Sequence, residues 1–185
     1  PNNVVVSAGD LIGASPLLSA LFHDEPTIES MNLLGLDINA VGNHEFDDGK
    51  DELLRMQNGG CHPVDGCQAG QFGGAKFKFL AANVVESATG KTLFPAYEIK
   101  RFNGIPVAFI GMTLQGTPSI VTPAGVAGLS FKAEAETVNA LVPELQKQGV
   151  EAIVVVVHEG GLQTGFYNEC KGIAGPLVDT VNKLD

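Results

Sequence analysis

Three short apolar runs in this chain each end in a side chain able to hold a metal ion. Residues 4–8 lead into Gly9-Asp10, residues 38–41 into Gly42-Asn43-His44-Glu45-Phe46-Asp47, and residues 153–157 into His158-Glu159-Gly160-Gly161. If the runs are strands, a carboxylate, an amide oxygen and an imidazole arrive at strand carboxyl ends, where open α/β sheets bind their ligands. Such a mixed oxygen and nitrogen set suits divalent cations from Mg and Mn to Zn, Fe and Co. A carboxylate such as Asp10 can bridge two cations in a two-metal phosphoryl-transfer site. Each residue also has a plainer use. Asp10 could cap the helix that follows, although Ser15 is better placed for that. Asn43 could be a turn residue after Gly42, and His158 a half-buried, hydrogen-bonded histidine. Their common position at strand ends is what favours the metal roles.

His44 stands beside Asn43 and is poorly placed to share its metal. It reads instead as a proton donor to a leaving oxygen, or a cationic donor to a phosphoryl oxygen. Asp47, three residues on, is placed to orient that imidazole. Gly160-Gly161 allows close backbone approach, useful near a phosphate and equally in an ordinary turn. His23, among the acids Asp24 and Glu25, reads as solvated, and His62, between Cys61 and Pro63, as at most a stray ligand.

These residues need a scaffold, and the chain can build one. Its 185 residues are 44% apolar and 17% charged, the composition of a folded domain. The net charge of −10, from 11 basic and 21 acidic residues, opposes non-specific nucleic-acid binding, which needs a basic footprint. An anionic substrate would need local positive charge, which bound metal ions supply. No apolar stretch approaches the ~18–20 residues that span a bilayer. The start at Pro1 reads as a processed or cut chain. Cys61 and Cys67 lie in a Gly-rich loop, where a local disulfide is preferred over free thiols; a zinc pair lacks the usual close spacing. Cys170 is left to pair elsewhere. Disulfide usage points to a secreted protein.

The element order reads β-α-β-α-β-β-β-α-β-α. Helices are expected over 16–22, with Ser15 as cap, and over 27–34, ended by Gly35. With the strand 37–41 they make a βαβ crossover and hence a parallel pair. A helix from 48 or 49 to 57 precedes a long loop over 59–75. One strand is expected over 77–85. Residues 97–102 and 105–112 form a hairpin about Asn103-Gly104. A loop over 116–128, an amphipathic helix over 134–148 kinked or delayed by Pro143, a strand over 152–157 and a helix over 173–184 complete the chain. The fold class is therefore α/β with mixed sheets.

Gly9-Asp10, the hexapeptide beginning at Gly42 and His158-Glu159-Gly160-Gly161 resemble the metallophosphoesterase superfamily, and the Glu45-Phe46-Asp47 extension resembles its 5′-nucleotidase/2′,3′-cyclic phosphodiesterase branch. The resemblance covers nearly the whole chain. It implies an α/β/β/α sandwich of mixed sheets, incomplete at both ends, and a parent enzyme with two divalent metal ions. Asp10 would bridge them, Asn43 and His158 would bind the second, and His44 with Asp47 would act on the leaving group or transition-state oxygens. The family's Asp-x-His motif before Gly-Asp and its later Gly-His-x-His motif have no counterpart in residues 1–185. The expectation is thus a central part of an N-terminal metallophosphatase domain, holding at most one partial metal site and inactive alone. The C-terminal domain that binds the nucleoside would belong to the same parent chain. With the cysteine usage, the resemblance widens the expected setting to secreted, periplasmic or cell-wall. Arg55 and Arg101 lie away from the motifs. The implied activity is 5′-nucleotidase, with cyclic phosphodiesterase, nucleotide-sugar hydrolase or a non-catalytic module with a degenerate metal site as alternatives.

Overall fold

The stretch between the first two apolar runs forms helices, so the strands it joins lie parallel. In a computed structural model, which describes residues 2–185, β1 (Val6–Ser7), β2 (Ile38–Ala40) and β3 (Lys78–Leu80) form a parallel sheet in that order. Val6 sits opposite Ile38, and Asn39 opposite Phe79. Between β1 and β2 come α1 (Leu17–Ala20) and α2 (Glu25–Leu34). α1 is shorter than the expected 16–22, and Pro16, not Ser15, stands at its cap without a side-chain hydrogen bond. Leu17 and Leu18 remain exposed, so no buried face extends this turn into a longer helix. α2 begins at Glu25, ahead of the expected 27, with Pro26 in its first turn. It ends at Gly35, whose φ of 82° is left-handed. α3 (Lys50–Asn58) follows Gly49 and stops at Gly59.

The hairpin forms as expected from β5 (Tyr97–Phe102) and β6 (Ile105–Met112). Asn103 and Gly104 both take positive φ, 51° and 86°, which a two-residue turn of the right twist requires. β8 (Ala152–Val157) pairs parallel with β6 through the crossover helix α4 (Glu134–Lys147). α4 runs through Pro143 rather than starting after it. α5 (Pro176–Val181) fills only the middle of the expected 173–184.

The single strand expected over 77–85 is two strands in different sheets. β3 ends at Leu80; β4 (Val84–Glu86) pairs antiparallel with β7 (Leu129–Phe131), a strand beyond the element order expected above. Asn83 causes the break. Its buried amide donates to the Thr113 and Lys132 carbonyls, at 2.6 and 3.0 Å, and accepts from Thr113 N–H at 2.9 Å. These bonds tie the residues after β3 to two remote segments, and the chain leaves the first sheet there.

Side-chain alternation places the layers. On β2, Ile38 and Ala40 face inward with Leu80, Phe109 and Val156, a core between the two sheets. Phe79, on the opposite pleat from Leu80, packs with Ile28 of α2 and with Leu53 and Met56 of α3. On the second sheet Ala108, Ile110 and Met112 face Val138 and Leu145 of α4. The result is helices, sheet, sheet, helix, the expected α/β/β/α sandwich. At Gly111 the sheets come so close that a Cβ would collide with Leu80. Cys61 and Cys67 are joined in a disulfide, and Cys170 is free and exposed.

Candidate metal centre

The loops after β1 and β2 touch backbone to backbone. A Cβ on Gly9 would lie 2.5 Å from the Gly42 nitrogen, and one on Gly42 would overlap the Asp10 carboxylate. Only glycine permits that approach. The chain leaves Gly9 at φ 100° and passes through Asp10 at φ 59°, a left-handed position that short polar side chains tolerate. Asp10 is thereby turned back across the end of the sheet. Its Oδ1 accepts the His44 backbone N–H at 3.0 Å, which leaves Oδ2 directed elsewhere.

β8 brings His158 to the same place from the second sheet. His158 Nε2 lies 3.0 Å from Asn43 Oδ1 and 3.3 Å from Asp10 Oδ2. Its Nδ1 donates to the Ala8 carbonyl at 2.7 Å. Nε2 thus faces the Asn43 amide oxygen and the Asp10 carboxylate, an imidazole, amide and carboxylate donor set that fits a cation. The separations match neighbouring ligands at bonds of about 2.1 Å, which stand about 3.0 to 3.4 Å apart. The Ala8 hydrogen bond orients the His158 ring, as such bonds to a carbonyl do for histidines that ligate metals.

His44 opens a one-turn 3₁₀ helix, His44–Phe46, and its Nδ1 donates to Asp47 Oδ2 at 2.7 Å. That hydrogen bond raises the His44 pKa above its ordinary value; burial opposes it, and the charges of Asp47, Asp10 and Glu45 reinforce it. Nε2 is the nitrogen left for a substrate. Gly13 holds this pair in place, because a Cβ there would meet the His44 carbonyl and lie 2.8 Å from Asp47 Oδ2.

Glu45 is the residue whose part the sequence did not disclose. The same short turn that exposes His44 buries Glu45, at 2% exposure. Its Oε2 accepts the backbone N–H groups of Asp10 at 2.9 Å and Gly42 at 2.8 Å. Oε1 accepts from Leu11 N–H at 3.0 Å and Asn39 Nδ2 at 3.2 Å. Burial raises its pKa above the ordinary carboxylate value, against the Leu11, Asp10 and Asn39 donors that pull it down. One side chain therefore clamps the β1 loop, the β2 loop and β2 itself. The only signal in the sequence was an acid between a catalytic-type histidine and an apolar Phe46.

Other candidates lie outside the centre. Arg55 is buried in ion pairs with Glu25 and Glu52, so it is not free for an anion. Arg101 bonds the Gly104 carbonyl in the hairpin turn. Among the described residues nothing stands within 4 Å of a Cβ at Gly160, so no close approach by them calls for that glycine. A cavity of about 290 Å³ lined by Ala8, Leu114, Val157, His158, Glu159 and Gly160 adjoins the centre. A larger one of about 600 Å³, between Ala82, Lys132 and Leu141, holds none of its residues.

No protein-family model matches the chain. Individual proteins do. The whole chain is 43% identical to part of the endonuclease YhcR of Bacillus subtilis, spanning 14% of that protein. Over 88% of its length it is 32% identical to a 5′-nucleotidase of Vibrio cholerae, spanning 27% of it. Among solved structures, the 5′-nucleotidase precursor of Thermus thermophilus superposes on 96% of the chain and 36% of its own, with a TM-score of 0.70 and 27% identity. The chain thus spans well under half of each of these three proteins.

Proposed function

Because the chain belongs to the metallophosphoesterase superfamily, in its 5′-nucleotidase branch, we propose that it carries part of the metal centre of a nucleotide-hydrolysing enzyme. These residues would form the central part of an N-terminal metallophosphatase domain, with a C-terminal domain of the same longer protein binding the nucleoside. The share of each relative that the chain spans supports that reading. The observation that carries the proposal is the meeting of Asp10, Asn43 and His158 from three strand ends beside the His44–Asp47 pair.

Asp10, Asn43 and His158 would hold metal, with Asp10 Oδ2 directed toward the His158 side and Oδ1 fixed by His44 N–H. Divalent ions of the kind the family uses, when bound, neutralise charge on a phosphoryl group and lower the pKa of an attacking water. His44 would keep its proton at Nδ1 on Asp47 and offer Nε2–H to a phosphoryl or leaving oxygen. The neighbouring acids favour that cationic form. Glu45 would act only through the others, as a positioning residue. The Cys61–Cys67 bond supports an oxidising, extracytoplasmic location.

Nucleoside monophosphates are the substrates we favour. A second reading, hydrolysis of nucleic-acid phosphodiesters, draws on the relative named an endonuclease, while the net charge of −10 opposes it for these residues. The test is hydrolysis of a panel of nucleotides and single-stranded DNA by the full-length protein, with and without added Mn, Mg or Zn. The expected result is metal-dependent release of phosphate from nucleotides. Asn43→Ala and His158→Ala should each cut it at least about 100-fold, with the fold intact by circular dichroism. Unchanged turnover in either variant would sink the proposal.

A further inference from the structure

A second group of metal-type donors stands away from this centre, at the foot of the disulfide loop. The His23 and His62 rings stack at 3.7 Å with planes 6° apart. One ring nitrogen of each and a Glu52 oxygen lie within 4.8 Å of one another. Asp65 joins them: its Oδ2 is 2.9 Å from His23 Nε2 and 3.5 Å from His62 Nδ1. His62 Nδ1 accepts the backbone N–H of Asp65 at 3.2 Å, and a metal bound there would take over the same lone pair in place of that hydrogen bond.

The surroundings hold these donors ready. The Cys61–Cys67 bond closes the loop that carries His62 and Asp65, and Gly66 N–H bonds the His62 carbonyl at 2.9 Å. Arg55 bonds both oxygens of Glu52, at 2.8 and 2.6 Å, and so fixes that carboxylate without using all its lone pairs. The His23 and His62 side chains are only 24% and 19% exposed. Asp24 and Asp48 add negative charge beside His23.

We infer that His23, His62 and Glu52, with Asp65 as fourth donor, form a site for a borderline transition-metal ion, with zinc the best match. Two imidazoles and two carboxylates suit Zn(II) in tetrahedral coordination, whose ligands at about 2.1 Å stand about 3.4 Å apart. The rings are stacked at 6°, so coordination requires them to turn out of parallel until both in-plane lone pairs meet at one point. The ion would pin the disulfide loop to the starts of α2 and α3. No part of this inference depends on nucleotide hydrolysis.

The test removes the first centre and counts zinc at the second. In the Asn43→Ala/His158→Ala double variant, competition with a chromophoric chelator should still find one tight Zn(II) per chain. Adding His62→Ala or His62→Gln should weaken that binding by more than about 100-fold, and Asp65→Asn by about 10- to 100-fold. Zinc added to the unsubstituted chain should also perturb the ring resonances of His23 and His62. A folded double variant that binds no zinc, zinc binding indifferent to both His62 substitutions, or shifts confined to His44 and His158 would each overturn the site.

Discussion

The two imidazole–carboxylate clusters of this molecule are held by opposite means. At the strand ends, Asp10, Asn43 and His158 arrive on loops from different sheets, and noncovalent contacts fix them: the Glu45 clamp and the glycine approaches at 9, 13 and 42. At the foot of the 59–75 loop, His62 and Asp65 have little core beneath them and are fixed by the Cys61–Cys67 bond. The first cluster is as rigid as the sandwich that carries it. The second depends on one covalent staple, and the two should fail separately.

The sharpest way to break the first cluster is Glu45→Ala. It removes the acceptor for three backbone N–H groups and one side-chain amide. Stranding buried donors costs about 1–3 kcal/mol each, partly recovered by relaxation, so a loss of about 3–5 kcal/mol is expected. Urea denaturation measures it, and a loss below about 1 kcal/mol would show that Glu45 is not the clamp. Next comes Gly13→Ala, which drives a Cβ against the His44 carbonyl at a backbone φ of 107°. The expected cost is about 1–3 kcal/mol, with the His44–Asp47 pair displaced and turnover reduced further than stability explains.

The second cluster should yield to Cys61→Ser/Cys67→Ser. Releasing so short a loop frees unfolded-state entropy worth about 2 kcal/mol in the chain-entropy account. Urea midpoints should fall accordingly, while nucleotide hydrolysis at saturating metal should stay within about twofold. A turnover loss as large as that of His158→Ala would show that the two regions are coupled.

This division also explains what could be read in advance. The hairpin was legible because Asn103-Gly104 is a local turn signal, and the strand-end ligands because each follows its own apolar run. Glu45 was not, since its partners Asp10 and Leu11 lie 35 and 34 residues away and contribute only backbone N–H groups, which every residue has. The break in 77–85 was hidden for a related reason: Asn83 answers to Thr113 and Lys132, both remote in sequence. β7, three residues long, is too short to show a period. His23 and His62 looked idle because only the folded disulfide loop stacks one on the other.

The smallest expected effect lies behind the first cluster, where Asp37 tethers β1. Its Oδ2 accepts Val5 N–H at 2.9 Å and its Oδ1 pairs with Lys100 at 2.9 Å. The Val5 hydrogen bond, with help from Lys100 and against some burial, holds its carboxyl below the ordinary carboxylate pKa. A depressed pKa means that the folded state favours the ionised form. The stabilisation is therefore present above the unfolded-state pKa and disappears as the pH falls through the folded-state value. Its side chain is 33% exposed, so screening keeps the ion-pair share within about 1 kcal/mol. Asp37→Asn should lower the urea midpoint slightly at neutral pH, and the gap from the unsubstituted protein should close as the solution is acidified through the carboxylate range. A gap that stays constant on acidification would assign the tether to hydrogen-bond shape rather than charge.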